Sequence, residues 1–303
     1  MRTKSLIVAD VSSKSLLYFD SSRLTECARI CDYLKIDYLP IIGEYKYAER
    51  KGKSFEEQQL NNSMQLSEYV VLFDAAVCDK IADATHNVLF VVEGEVVKGV
   101  LHISDFNRNT VLQAIQHDFL TFERNLRQLL LLNEVSNETL LTFFQYKAQK
   151  SKSVEYWKGQ ENAYLLKRSS GELDNFSELQ HFTLRHLLEY ASSSFSSKVF
   201  DLNETINLQS AVKKSELSIL SDLRNLVMHA KDSINMKSGN VLNSISQLRD
   251  FYIAISVFKR SFERLEFLIG AHPKHKRAIQ LDNSSKLTII DEHYPNAINF
   301  FIK

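Results

Sequence analysis

The sequence predicts an α+β protein, with an alternating α/β segment first, an all-helical bundle after it and a short β extension at the end. Three observations lead there. The first hundred or so residues alternate strand-like runs with short amphipathic segments. From His117 the apolar residues Phe119, Phe122, Leu126, Leu129 and Leu130 move to spacings of three and four, the period of a helix face. Gly and Pro number only 8 and 3, while Leu, Lys, Glu and Gln are plentiful in the second half, which favours long uninterrupted helices there.

Taken in order, Leu16-Leu17-Tyr18-Phe19 reads as a strand, residues 23–34 as an amphipathic helix and Tyr38-Leu39-Pro40-Ile41-Ile42 as a second strand. Residues 46–62 are polar and charged and read as a loop or insertion. The pattern then repeats. Phe19-Asp20 recurs as Phe73-Asp74 and Gly43-Glu44 as Gly94-Glu95 at near-equal spacing, the signature of a duplicated unit. The second copy continues through residues 96–105 into a helix beginning near Phe106. Further helices are expected over 137–149, 151–166, 176–193, 202–229 and 241–269, a bundle of about five members. Gly171 and Gly239 punctuate them, Asp174-Asn175 and Asn203 supply helix starts, and residues 191–197 supply a break. Residues 271–277 form a compact basic loop, read either as an RNA contact or as a solvated turn. Two short strands follow at 286–291 and 296–302, so the expected domains are 1–114, 115–270 and 271–303.

Lys plus Arg and Asp plus Glu balance at 37 each, so no global field advertises nucleic acid. Any RNA contact must then be local, and DNA is not an expected partner. Cys27, Cys31 and Cys78 lack the paired spacings of a zinc site and read as reduced, buried thiols. His181 and His186, five apart, fall on different helix faces, so no metal site is expected. Apolar runs fall well short of the roughly 20 residues that cross a bilayer. The piece Leu6 to Ala9 stops at Asp10, too soon for a signal peptide. A cytoplasmic protein without a membrane partner is expected.

The apolar strand Leu39-Pro40-Ile41-Ile42 in the first copy, and Gly99 followed six residues later by Asp105 in the second, resemble the paired CBS modules that bind adenosine-containing ligands. The resemblance covers residues 1–114. It implies a site for AMP, ATP or a related nucleotide drawn from Pro40, Ile41, Gly99, His102, Ser104 and Asp105. A strand running into a helix start presents free backbone N–H groups and a positive dipole end to a phosphate. Asp105 then either holds ribose hydroxyls or caps its own helix. His102 departs from the Ser or Thr usual there, and its ring would fill part of the cleft, leaving the ligand atypical or absent.

The chemistry is concentrated in Ser221-Asp222-Leu223-Arg224-Asn225-Leu226-Val227-Met228-His229-Ala230. A histidine titrates near neutral pH and an arginine is a permanent forked donor for phosphate oxygens, enough to cut RNA without a metal. RNA supplies its own nucleophile, the 2′-hydroxyl, leaving His229 as base or acid, Arg224 as the cation on the phosphate and Asn225 to orient either. On an ideal helix Asn225 and His229 share a face while Arg224 lies about 140° from His229. Either the helix loosens, or the arginine wraps round, or a second copy supplies groups across a twofold interface.

Arg, a polar residue, three others and His, in an all-helical context, resemble the active motif of the HEPN superfamily of helical ribonucleases and nucleotide-binding bundles. The resemblance covers about residues 115–270. An earlier helix carrying Phe122-Glu123 and Leu126-Arg127 agrees with it. It implies a homodimer whose two motifs, Arg224, Asn225 and His229, form one metal-independent RNA-cleaving site with no required cofactor. It also implies a toxin or defence setting. With the CBS-like pair, the whole implies a ligand-regulated endoribonuclease. The bland alternative pairs Arg224 with Asp222 or another acid and lets His229 cap the helix C-terminus. In that case the protein is a non-catalytic nucleotide-sensing or protein-binding dimerisation adaptor.

Overall fold

The computed structural model describes residues 1–14, 16–34, 36–84, 88–150, 152–175, 178–196, 208–228, 242 and 244–272. The fold is mixed α+β: helix dominates, and the strands form two three-stranded sheets. The described helices are α1 (Val8–Val11), α2 (Leu24–Leu34), α3 (Ala75–Asp83), α4 (Asn109–Leu132), α5 (Asn137–Lys150), α6 (Val154–Ser169), α7 (Leu184–Ala191), α8 (Leu208–Ala211), α9 (Leu217–Met228) and α10 (Ile245–Ala271). The strands are β1 (Tyr38–Pro40), β2 (Lys46–Lys51), β3 (Ser54–Gln59), β4 (Gln65–Ser67), β5 (Val88–Glu93) and β6 (Val96–His102). Two compact units emerge, Met1–Phe119 with Asp222–Ser256, and Leu120–Ser221 with Val257–Lys303.

In the first unit β1, β2 and β3 pair antiparallel, while β5 pairs parallel with β4 and antiparallel with β6. β5 is an unbroken apolar run, buried at every position but its last, as a central strand covered on both faces must be. β6 alternates instead, with Val97, Gly99 and Leu101 buried and Val96 and Lys98 exposed. Tyr38 and Tyr47 from one sheet and Phe90, Val92 and Val97 from the other share one apolar cluster. Cys27 and Cys31 on α2 pack with Leu39 in another, and Cys27, Cys31 and Cys78 are all free and buried.

The duplicated residues land in duplicated roles. Asp20 accepts the Ser22 N–H before α2, and Asp74 accepts the Ala76 N–H before α3. Gly43 and Gly94 make the turns from β1 to β2 and from β5 to β6, both with positive φ. Each copy therefore runs capping Asp, helix, strand, left-handed Gly, strand.

Several local expectations give way to tertiary context. Residues 46–59 are a β-hairpin rather than a loop. β2 buries Tyr47 and Ala48, whereas β3 is an edge strand whose exposed Glu56 and Glu57 mask the strand signal. Residues 16–19 form no strand, because Leu16 and Phe19 pack on separate clusters and the Phe19 N–H bonds to the Pro40 carbonyl. A 3-10 turn, Ile103–Asn107, precedes α4, which begins at Asn109.

In the second unit Phe122 on α4 packs edge-on against Phe258 on α10, and Phe143, Phe144, Trp157 and Tyr190 knit α5, α6 and α7 together. The helix expected over 176–193 is only α7. Arg127 explains its late start: the guanidinium bonds to Glu123 at 2.6 Å and takes the Leu179 and Phe182 carbonyls at 3.3 and 2.9 Å, holding that stretch out of a helix. The helix expected over 202–229 is, among the described residues, α8 and α9 separated by extended Lys213. The basic residues 273–277 and the strands expected at 286–291 and 296–302 lie outside the described residues. Among the described residues no helix is long and apolar enough to cross a membrane.

Candidate functional site

α9 presents the first candidate site. Its buried side is Leu220, Leu223, Leu226 and Val227, the spacing of an amphipathic helix. That placement leaves Arg224 half-buried and Asn225 exposed. Arg224 Nη1 donates to Asn225 Oδ1 at 3.3 Å. Successive positions on a helix do not face each other, so this contact depends on the reach of the arginine stem. His229 lies outside the described residues.

The start of α9 is fixed by a buried ion pair. Glu216, the residue before α9, is 8% exposed. Its carboxylate accepts from Ser261 Oγ at 3.0 Å and from both terminal nitrogens of Arg264 on α10. A charge so far from water is held only by paired donors, and all three here come from α10. No local signal marks Glu216, since its partners lie more than forty residues on.

The second candidate site forms where β6 runs into α4. The Asp105 carboxylate accepts the His102 backbone N–H at 2.8 Å, closing the 3-10 turn as a reciprocal cap. Its other oxygen accepts from Arg108 Nε at 2.9 Å and Nη2 at 2.8 Å. Ser13 Oγ joins them, accepting from Arg108 Nη2 at 2.6 Å and reaching Asp105 at 3.4 Å. Burial pushes the Asp105 carboxyl up, and the His102 N–H and Arg108 oppose it. Arg108 is the residue missed here, although an Asp–Arg spacing of three is a legible helix-surface pair.

His102 Nδ1 accepts the Ser104 N–H at 3.1 Å, which assigns its neutral proton to Nε2. Burial lowers its pKa, against the pull of Asp105. Gly99 stands three residues upstream, where an added Cβ would meet the Ser13 carbonyl oxygen at 3.0 Å and Ser12 Oγ at 3.2 Å. Its bareness admits the Ser12-Ser13 backbone, which bridges to Val100. Pro40 ends β1 and Ile41 follows it; the Pro40 carbonyl accepts the Phe19 N–H, and the Ile41 N–H donates to the Lys46 carbonyl.

The geometry thus brings His102, Ser104 and Asp105 together with Ser13 and Arg108, and leaves Asp105 with its capping role filled. Arg108, 41% exposed, is the cation this cluster offers to solvent. Among the described residues no group of three or more His, Cys, Asp or Glu is placed to hold a metal ion. No family model, no curated protein and no solved structure matches the chain.

Proposed function

We propose that the chain is a ligand-regulated, metal-independent endoribonuclease acting as a homodimer, with a CBS-like pair in residues 1–114 and a HEPN-like helical domain in residues 115–270. The observation that supports it best is the contact of half-buried Arg224 with exposed Asn225 on α9. A guanidinium held there is suited to a phosphodiester, and Asn225 to orienting a phosphate oxygen or His229. His229 takes the 2′-hydroxyl proton, the oxygen attacks phosphorus, the 5′-oxygen leaves with a proton, and a cyclic phosphate remains. The regulatory half rests on Arg108 and the Asp105 turn, suited to the phosphate of AMP, ATP or a related nucleotide.

One assay tests both halves. Purified full-length protein is incubated with single-stranded RNA in EDTA, with and without AMP or ATP, and the ends are analysed. Wild type is expected to leave cyclic or 3′-phosphate ends, and His229→Ala to cut at least about 100-fold more slowly. Intact RNA with wild type, or equal cutting by His229→Ala, sinks the catalytic half. An unchanged rate with either nucleotide sinks the regulatory half.

The protein-binding form of the non-catalytic adaptor is a second reading, and Asp105 favours it over a nucleotide-sensing one. With its oxygens engaged by His102, Arg108 and Ser13, this carboxylate has its cap and ion pair without any ribose.

A further inference from the structure

The outward side of α10 carries Ile253, Ser256, Arg260, Glu263, Phe267 and Gly270, all exposed, at alternating spacings of three and four. Ile253 is 57% exposed and Phe267 73%, large apolar side chains left in water on a helix that otherwise buries its apolar residues well. The whole stripe stands on one helix, so the relative placement of its members follows from α10 alone.

We propose that this stripe is a self-association surface whose occupant is α10 of a second copy, laid antiparallel about a twofold axis midway between residues 260 and 263. In that register the stripe complements itself. Arg260 faces Glu263 of the second copy, and the twofold repeats the pair in reverse. Phe267 faces Ser256 of the second copy and Ile253 faces Gly270 of the second copy, so each large apolar side chain meets a small residue. Lys259 and Glu266 lie along one edge of the stripe, seven residues apart and of opposite charge, so in the antiparallel pair each approaches the other's counterpart. Alternating spacings of three and four are those by which paired helices interlock, and opposed charges select one register over its neighbours. A parallel pairing has none of this, since it sets Arg260 against Arg260 and Glu263 against Glu263.

The stripe spans about 26 Å at about 1.5 Å per residue, so the contact is at the small end of specific interfaces and its occupancy depends on concentration. It concerns the homodimer only and does not depend on RNA cleavage. Sedimentation velocity of the full-length chain over a concentration series tests it, with thermal melts to verify folding. Wild type is expected to dimerise. Arg260→Glu places four acids at the centre and Glu263→Arg four bases, and each is expected to weaken association at least about tenfold. The double variant R260E/E263R restores opposite pairs and is expected to restore the dimer.

A monomeric wild type overturns the proposal and leaves the stripe to a different partner. Single variants that dimerise as wild type does, or a folded double variant that stays monomeric, overturn it as well. If the charge swap behaves as expected and RNA is never cut, the catalytic reading fails alone. If RNA is cut while the single variants remain dimeric, this surface fails alone.

Discussion

His186 is 5% exposed, with the Thr183 N–H pointing at its Nδ1 and the Tyr156 hydroxyl 3.2 Å from its Nε2. Phe144 packs edge-on at 4.9 Å between ring centroids, and Trp157 and Phe182 lie close by. The Thr183 bond assigns the neutral ring a proton on Nε2, donated to Tyr156; a second proton on Nδ1 would break the α7 cap. Burial drives the pKa down to about 4 from 6.5, partly offset by Glu189 and reinforced by Arg185. Because the folded value is the lower one, the unfolded chain takes the proton first. The penalty is absent above pH 6.5, grows as pH falls and saturates below about 4, at about 3 kcal/mol. Urea unfolding across that window should show a His186→Gln variant losing less stability than wild type. Parallel profiles would mean the ring is not held neutral. Residue spacing presents His186 only as a metal-ligand candidate, because neither an aromatic surround nor a return bond to a capping threonine is visible in it. Arg127 is the more legible case: its pairing with Glu123 follows from a spacing of four, but its grip on Leu179 and Phe182 does not.

Two glycines in regular elements are expected to answer the same substitution with opposite signs. Gly99 lies in β6, where a Cβ meets the backbone oxygen of Ser13 at 3.0 Å, an atom that moves only with its chain. Gly159 is an exposed position of α6 with nothing within 4 Å. Gly99→Ala should destabilise by about 1–3 kcal/mol through overpacking, and Gly159→Ala should stabilise by about 0.5–1 kcal/mol through helix propensity. Chemical denaturation of both variants checks this, and a neutral Gly99→Ala would show that Ser13 yields. At this scale legibility followed length and periodicity. α4 and α10, at 24 and 27 residues, carry enough turns for the apolar period to declare itself. α5 begins where it is expected, at Asn137. The β2–β3 hairpin was hidden because an edge strand carries few buried positions and protective charges, so its composition is that of a loop.

For the whole molecule, the balance of 37 cationic and 37 acidic side chains bears on how the proposed RNA substrate would be held. With no net field, affinity must come from a few local contacts, of which Arg224 on α9 is the one the proposed chemistry requires. Arg224 and Asn225 were legible as residue types at a spacing. Their contact was not, and neither was the Glu216–Arg264 pair that fixes the start of α9, because its partners come from a distant helix. Each phosphate neutralised on a single strand contributes about −0.7 to the slope of log affinity against log salt. An RNA held by one to three phosphate contacts should therefore give a slope between about −0.7 and −2, measured by fluorescence anisotropy with the non-cleaving His229→Ala variant. Arg224→Ala should flatten that slope by about one contact's worth and weaken binding evenly across sequences. A slope of about −5 or steeper would mean that an extended basic surface carries the RNA, and would remove Arg224 from the centre of recognition.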